Sequence, residues 1–248
     1  LKLALKQNLF YLVYQPIVDL QTLKTAGVEA LCRCDLEALK EIPTEEFISV
    51  SEEFGLMPEL GNWILTTVTT EAGSKLLSTN PSFSIHINLS PKQLQQKDFI
   101  AFVKASLNQL NAKQFVFELS ESIMTKEDAL LEKYFDDLHQ IGVKISLDDF
   151  GTGHSSLMLL ERSPISSLKL APKLLHDADS DTQQTTSFET IVKASKALNI
   201  IPVAKGIEKK EQLEFLQQHR CDFGQGYYLS KPLKLPQLLT FLEKEKNT

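Results

Sequence analysis

Cysteine is scarce in this 248-residue chain. Cys32, Cys34 and Cys221 are its three, an odd number without metal-finger spacing, which argues against a disulfide scaffold and for reduced thiols in a cytoplasmic setting. Long apolar runs are also missing. No stretch approaches the ~20 residues of a membrane span and no signal-peptide pattern opens the chain, so this segment is not expected to insert into a membrane, whatever anchors a longer protein. Positive charge is not in excess either: 26 Lys and Arg face 32 Asp and Glu, a net charge of −6. That balance argues against binding a nucleic acid polymer non-specifically. No Gly/Ser- or Pro-rich linker divides the sequence, so residues 1–248 read as a single domain of a size common for α/β barrels. The opening residues, LKLALKQN, look like the end of a helix, and the protein is expected to continue upstream.

What is present centres on residues 143–156, VKISLDDFGTGHSS. Alternation places Val143, Ile145 and Leu147 on one strand face and Lys144 and Ser146 on the other, so adjacent Asp148 and Asp149 start out pointing to opposite sides. Strands tolerate Asp poorly, and two in succession call for a strand end and a neutralising cation. The plainer alternative is an Asp-Asp turn capping a helix at Ser155 or Ser156.

Around this stretch, strands alternate with helices. Two apolar runs, 10–20 and 26–34, joined by a polar connection predict an opening β-hairpin. In the second run Val28, Ala30 and Cys32 share one side, and Glu29, Leu31 and Arg33 the other. Helices are expected from Thr44 and from Pro58, then a strand over 82–90 with Ser84, His86 and Asn88 on one face. His86 reads as a wall residue without a role. Pro91 opens the next helix. Helices over 99–110, 129–141, 155–161, 188–198, 209–218 and 236–244 alternate with strands at 115–119, 143–147, 167–170 and 200–204, and a short segment at 221–228 comes last. This repeat predicts a mostly parallel sheet closed into a barrel. The lack of a Gly-x-Gly-x-x-Gly fingerprint after the first strand argues against a dinucleotide-binding fold.

In such a barrel the C-terminal strand ends share one face, and that face carries the chemistry. There this chain places Glu29, Asn88, Glu118, Asp148 with Asp149, Lys169, Lys205 with Glu208, and Gln225. Each alone could be a helix cap or a solvated loop residue. Together they make an oxygen-rich site suited to Mg²⁺ or Mn²⁺, with Arg33 and Lys169 available to a phosphodiester.

The motifs YQPIVDL…GVEALCR, NLS at 88–90, ELSES at 118–122, DDFGTGHSS at 148–156, LK at 168–169 and QGYYLSKPL at 225–233 resemble the EAL domain of bacterial cyclic-di-GMP phosphodiesterases over essentially the whole chain. The resemblance implies a modified TIM-type (β/α)8 barrel with an antiparallel first strand, a Mg²⁺- or Mn²⁺-dependent site, and hydrolysis of cyclic di-GMP to pGpG. It matches Glu29, Asn88, Glu118 and Asp148 to first-metal ligands and Asp149 to a ligand of the second metal. Lys169 matches the lysine near the attacking water, Arg33 a phosphate contact, and Glu121 the support of the DDFGTGHSS loop. Glu208 and Gln225 match further active-site positions, and Gln15, Pro16, Leu31 and Gly226 fall at ligand-lining ones. A homodimer and an upstream domain of GGDEF, PAS or receiver type are further implications.

Two departures set the functional expectation. Hydrolysing members usually carry AEGVE after the penultimate strand, whereas this chain has AKGIE at 204–208, with Lys205 in place of a glutamate that helps hold the second metal. Ala171 likewise stands where an acidic residue is usual. An ammonium supplies attraction for phosphate but no base, so the expected function is cyclic-di-GMP binding by an impaired receptor, with one Mg²⁺ or Mn²⁺, or Ca²⁺ as a non-catalytic ion. An active or weakly active phosphodiesterase and a ligand-free interaction module are the alternatives. His154, where Tyr is commoner in the family, and the replaced His-Pro after Arg33 are lesser departures.

Overall fold

The computed structural model describes residues 2–37, 44–77, 80–125, 129–152, 160, 164–176 and 182–246. Among them, eight strands close into a barrel in sequence order. β1 (Phe10–Asp19) and β2 (Thr25–Cys34) form the expected hairpin, antiparallel, with Gln15 opposite Glu29. Its turn is built by Asp19, whose Oδ1 accepts the backbone N–H groups of Gln21 and Thr22 at 2.8 and 2.9 Å, the local bond that favours Asp at turn starts.

From β2 the strands run parallel: β3 (Ser84–Asn88), β4 (Phe115–Ser120), β5 (Lys144–Phe150), β6 (Ile165–Leu170), β7 (Ile201–Ala204) and β8 (Phe223–Gly224). β8 then pairs antiparallel with β1, which closes the ring. The first strand is therefore the reversed one. Parallel neighbours need crossovers, and helices supply them, among them Phe99–Ser106, Ala129–Ile141, Thr182–Ala197 and Lys210–Gln218. The helix Thr182–Ala197 begins six residues before the sequence pattern suggests, because its apolar stripe starts only at Phe188.

The alternation splits each strand between two environments. Val28, Ala30, Ile85, Ile87, Phe115, Phe117, Ile145, Leu147, Leu168 and Leu170 join the apolar core against the helices. Glu29, His86, Glu118, Ser146, Ser167 and Lys169, on the opposite parity, are buried as well, so the barrel lumen is lined with polar groups that must satisfy one another. Pro91 opens a helical turn as expected, and Ser90 caps it reciprocally: Lys92 N donates to Ser90 Oγ and Ser90 N to Gln93 Oε1. This fixes the chain just past Asn88.

The three cysteines are free. Cys32 and Cys221 are buried, and burial pushes both thiols up to about 12, which keeps them protonated and inert. Among the described residues no helix is long and apolar enough to cross a membrane. The helix expected near 155–161, with His154, Ser155 and Ser156, lies outside the described residues apart from Leu160.

Candidate active site

At the C-terminal strand ends lies a cleft of about 770 Å³. Gln15, Glu29, Leu31, Arg33, Asn88, Glu118, Asp148, Asp149, Lys205, Glu208, Gln225 and Gly226 all line it. Two of the sequence-based expectations differ. Lys169, expected beside the ligand, is wholly buried and does not line the cleft; it lies within the acidic cluster instead. Pro16 is buried in β1 and does not line it either. Its side chain has the opposite parity to Gln15, so only one of the two can face the lumen.

Two ammonium-centred clusters organise the site. In the deeper one, Lys169 Nζ lies 2.6 Å from Glu29 Oε2, 2.6 Å from Glu118 Oε1 and 2.8 Å from Glu118 Oε2. Glu29 also accepts from Asn88 Nδ2 at 2.7 Å and from Gln225 Nε2 at 2.9 Å, and Gln225 Nε2 reaches Gln15 Oε1 at 3.1 Å. Burial opposes the charge on Glu29, but Lys169, Lys205 and the Asn88 bond outweigh it and hold this carboxyl well below its usual range. Glu118 moves the other way. Burial and the nearby Glu29 charge push it up, while Lys169 and His86 pull it partly back. Lys169 is raised despite burial, because Glu118, Glu29 and Asp148 surround it. Two buried carboxylates thus share one ammonium and titrate as a coupled pair.

The shallower cluster is centred on Lys205. Lys205 N bonds Leu170 O at 3.2 Å, extending the β6–β7 ladder and fixing Lys205 at the rim. Its Nζ donates to Asp148 Oδ1 at 2.7 Å and Asp149 Oδ1 at 2.8 Å. Burial disfavours the ammonium and Lys169 repels it, yet Asp148 and Asp149 raise its pKa. Strict alternation had put the two aspartates on opposite sides; the structure corrects this. The pairing of β5 with β6 slips between Leu147 and Phe150, and Asp149 sits at φ 53° in the left-handed region. That bulge turns both carboxylates toward one cation. Ala171, buried just after β6, carries no charge.

Other predicted residues fall around these clusters. Arg33 lies on the cleft wall, its Nη1 donating to Cys32 O at 2.8 Å. Glu121 Oε2 accepts Gly151 N–H at 3.0 Å, tying the segment after β4 to the residue after β5. Glu208 is exposed at the rim, where Gln212 Oε1 takes the N–H groups of Glu208 and Lys209. Gly226 packs where a Cβ would lie 2.1 Å from Ile207 O, so glycine is required to bring Gln225 into place.

His86 is the residue that sequence reasoning missed. Its Nδ1 meets Glu118 Oε1 at 2.7 Å and its Nε2 meets Ser84 Oγ at 3.1 Å. The signal was its parity, which it shares with Asn88.

The family model described as "EAL domain" matches residues 1–232. This chain belongs to the EAL domain family. The EAL domain is 34% identical over 245 residues to the probable cyclic di-GMP phosphodiesterase PdeN of Escherichia coli, covering 97% of this chain and 47% of that protein. It is 31% identical over 241 residues to the bifunctional diguanylate cyclase/cyclic di-GMP phosphodiesterase MucR of Pseudomonas aeruginosa, covering 96% of this chain and 35% of that protein. Among solved structures, a PaMucR phosphodiesterase in complex with c-di-GMP superposes with a TM-score of 0.88 at 30% identity, covering 96% of this chain and 97% of that one. The domain thus spans less than half the length of these curated relatives.

Proposed function

We propose that this EAL domain binds cyclic di-GMP in the cleft at the strand ends and serves as a catalytically impaired receptor. The observation that carries the reading is the Lys205 ammonium seated between Asp148 and Asp149. Similarity to proteins named as cyclic di-GMP phosphodiesterases, and to a structure titled as a c-di-GMP complex, supports the choice of ligand.

The donor set fits one hard cation. Among the described residues no three acidic, His or Cys side chains close on a common point, since the carboxylates turn to the two lysines. Yet with all four ionised, Glu29, Glu118, Asp148 and Asp149 outnumber Lys169 and Lys205 by two negative charges, the charge of one divalent ion. Among the described residues the buried Gln225 Oε1 also lacks a partner. Glu29, Asn88 through its Oδ1, Glu118 and Asp148 would hold Mg²⁺ or Mn²⁺, with Ca²⁺ as a non-catalytic substitute. Such an ion polarises a phosphoryl oxygen and acidifies a bound water.

The remaining roles fall to the protein. Arg33 offers a phosphate its guanidinium, and Lys205 adds a second positive charge at the cleft surface. Asp148 and Asp149, which would help hold a second cation, are already committed to an ammonium that brings no exchangeable water. Ground-state affinity is retained and nucleophile activation is weakened. Residual turnover is the second reading. It is favoured by the partial exposure of the Lys205 side chain, 22%, which leaves it room to swing aside. In the longer protein, an attached GGDEF, PAS or receiver domain and a second copy of this chain would receive the bound signal.

Calorimetry with cyclic di-GMP, run beside chromatographic detection of pGpG in Mg²⁺ and in Mn²⁺, tests the proposal. Binding without pGpG is the expected result. Rapid pGpG formation overturns the receptor reading, and no binding in any metal overturns the ligand.

A further inference from the structure

Glu52 is a cleft-lining carboxylate that stands apart from both lysine clusters. The helices Thr44–Glu53 and Met57–Thr67 and the turn after β3 contribute Ile48, Glu52, Met57, Ile64, Leu89 and Pro91 to the cleft wall. Glu52 is the one charge in that group. Ile48 and Glu52 lie one turn apart on their helix and so share the face turned to the cleft.

The backbone beneath Glu52 is fixed from two sides. Lys92 Nζ donates to Glu52 O, which joins the helix end to the turn after β3. Leu56 N donates to Ser51 O at 2.7 Å, and Gly55, at φ 67°, ends the helix in the left-handed conformation that favours glycine. The carboxylate itself has no hydrogen bond or ion pair among the described residues. Arg33, the cation on the β2 side of the cleft, is bonded to Cys32 O instead.

A half-buried carboxylate beside apolar side chains loses its water when a ligand fills the cleft, and it then requires donors. The phosphates of a cyclic dinucleotide would be repelled. Guanine suits the place: its flat face covers apolar side chains, and its N1–H and N2–H groups lie side by side, matching the two oxygens of one carboxylate. Adenine presents an acceptor at N1 on the same edge, which a carboxylate, itself only an acceptor, rejects.

We propose that Glu52 reads the Watson–Crick edge of one guanine of cyclic di-GMP and is a specificity-determining residue of this cleft. The inference rests on the cyclic-di-GMP reading and names what selects the base.

The test is calorimetric titration of the wild type, Glu52→Ala and Glu52→Gln with cyclic di-GMP, cyclic di-IMP, which lacks the 2-amino groups, and cyclic di-AMP, in Mg²⁺ with pGpG monitored. The wild type is expected to prefer cyclic di-GMP to cyclic di-IMP by about tenfold or more. Glu52→Ala should lower cyclic-di-GMP affinity by about 10–100-fold, the range for a charge-assisted hydrogen bond, and should shrink the preference over cyclic di-IMP. Glu52→Gln, of nearly the same size, offers one acceptor and one donor, the pattern that adenine matches; it should narrow the gap between cyclic di-GMP and cyclic di-AMP by about tenfold. A merely structural role lowers affinity for all three ligands alike and leaves the ratios unchanged, which overturns the inference alone. Tighter binding of every ligand by Glu52→Ala also overturns it, because the carboxylate would then act only by repelling phosphate. Failure of the wild type to bind cyclic di-GMP overturns the inference together with the reading on which it rests.

Discussion

Lys205 and Asp149 are joined at 2.8 Å by a backbone irregularity rather than by strand geometry. Asp148 reaches the same ammonium at 2.7 Å from the neighbouring position, which a regular strand forbids because successive side chains diverge. The left-handed conformation of Asp149, φ 53°, removes that divergence. A local conformation that costs free energy is therefore coupled to the ion pairs that hold Lys205.

Asp149 should tolerate Asn far better than Val. Asn enters the left-handed region readily, whereas a β-branched side chain there is strained by about 1–3 kcal/mol. Asp149→Asn is expected within about 1 kcal/mol of wild type, since the pair is half exposed and such pairs contribute little. Urea denaturation of both variants measures the difference; equal midpoints would show that the bulge carries no strain.

Lys205→Glu should shift the proposed receptor toward an enzyme. The substitution removes the ammonium from between Asp148 and Asp149 and adds a carboxylate at the end of β7. Mn²⁺ stoichiometry is expected to rise from about one to about two as a paired site forms, and pGpG production to rise by about tenfold or more. Lys205→Met, which removes charge without adding an oxygen ligand, is the control and should not gain turnover. An equal gain in both variants would mean that the lysine merely blocks access.

The barrel and most of the site were legible in the sequence because each strand end announces itself by parity. Glu29, Asn88 and Glu118 alternate with apolar neighbours that can face only the helices, so their convergence follows from closure of the ring. What parity could not show was where it fails. The slip after Leu147 depends on one residue's φ and on β6 pairing, neither of which leaves a pattern in composition. Lys169 was misplaced for a different reason. Periodicity gives the face of a strand but not depth along it, and whether a lumen-facing lysine meets ligand or carboxylates depends on depth. His86 was passed over because a histidine among apolar residues looks like wall until its neighbour across the strand pair is known.

Gly226→Ala should damage the site more than its size suggests. The added Cβ would approach Ile207 O at 2.1 Å and Ile207 N at 2.2 Å, backbone atoms that cannot rotate away. Ile207 N bonds Gln225 O at 3.2 Å, so relief of the clash moves Gln225 and loosens its bonds to Gln15 and Glu29. A loss of about 1–3 kcal/mol, the usual range for overpacking, is expected with a clear fall in cyclic-di-GMP affinity. Thermal melts and calorimetry on one preparation check it; unchanged affinity would show that Gln225 does not touch the ligand.

Alkaline pH should separate the two lysines from the rest of the chain. Lys205 and Lys169 both have raised pKa values in the folded protein, set by their carboxylate neighbours against the opposing effect of burial. Their unfolded reference is about 10.4. Below that pH both states are protonated and the full stabilisation is present. Above it the unfolded chain releases protons that the folded protein still holds, so stability falls with rising pH until the folded values are passed. Each such group contributes at most about 1.4 kcal/mol per pH unit to the slope. Lys205→Met removes one of them and should flatten the decline by up to that amount as the pH rises above about 10.4, with little change in slope near neutrality. Urea denaturation across this range measures it. Identical slopes in the two proteins would place the Lys205 ammonium in free solvent, away from Asp148 and Asp149, and would remove the structural basis for an impaired site.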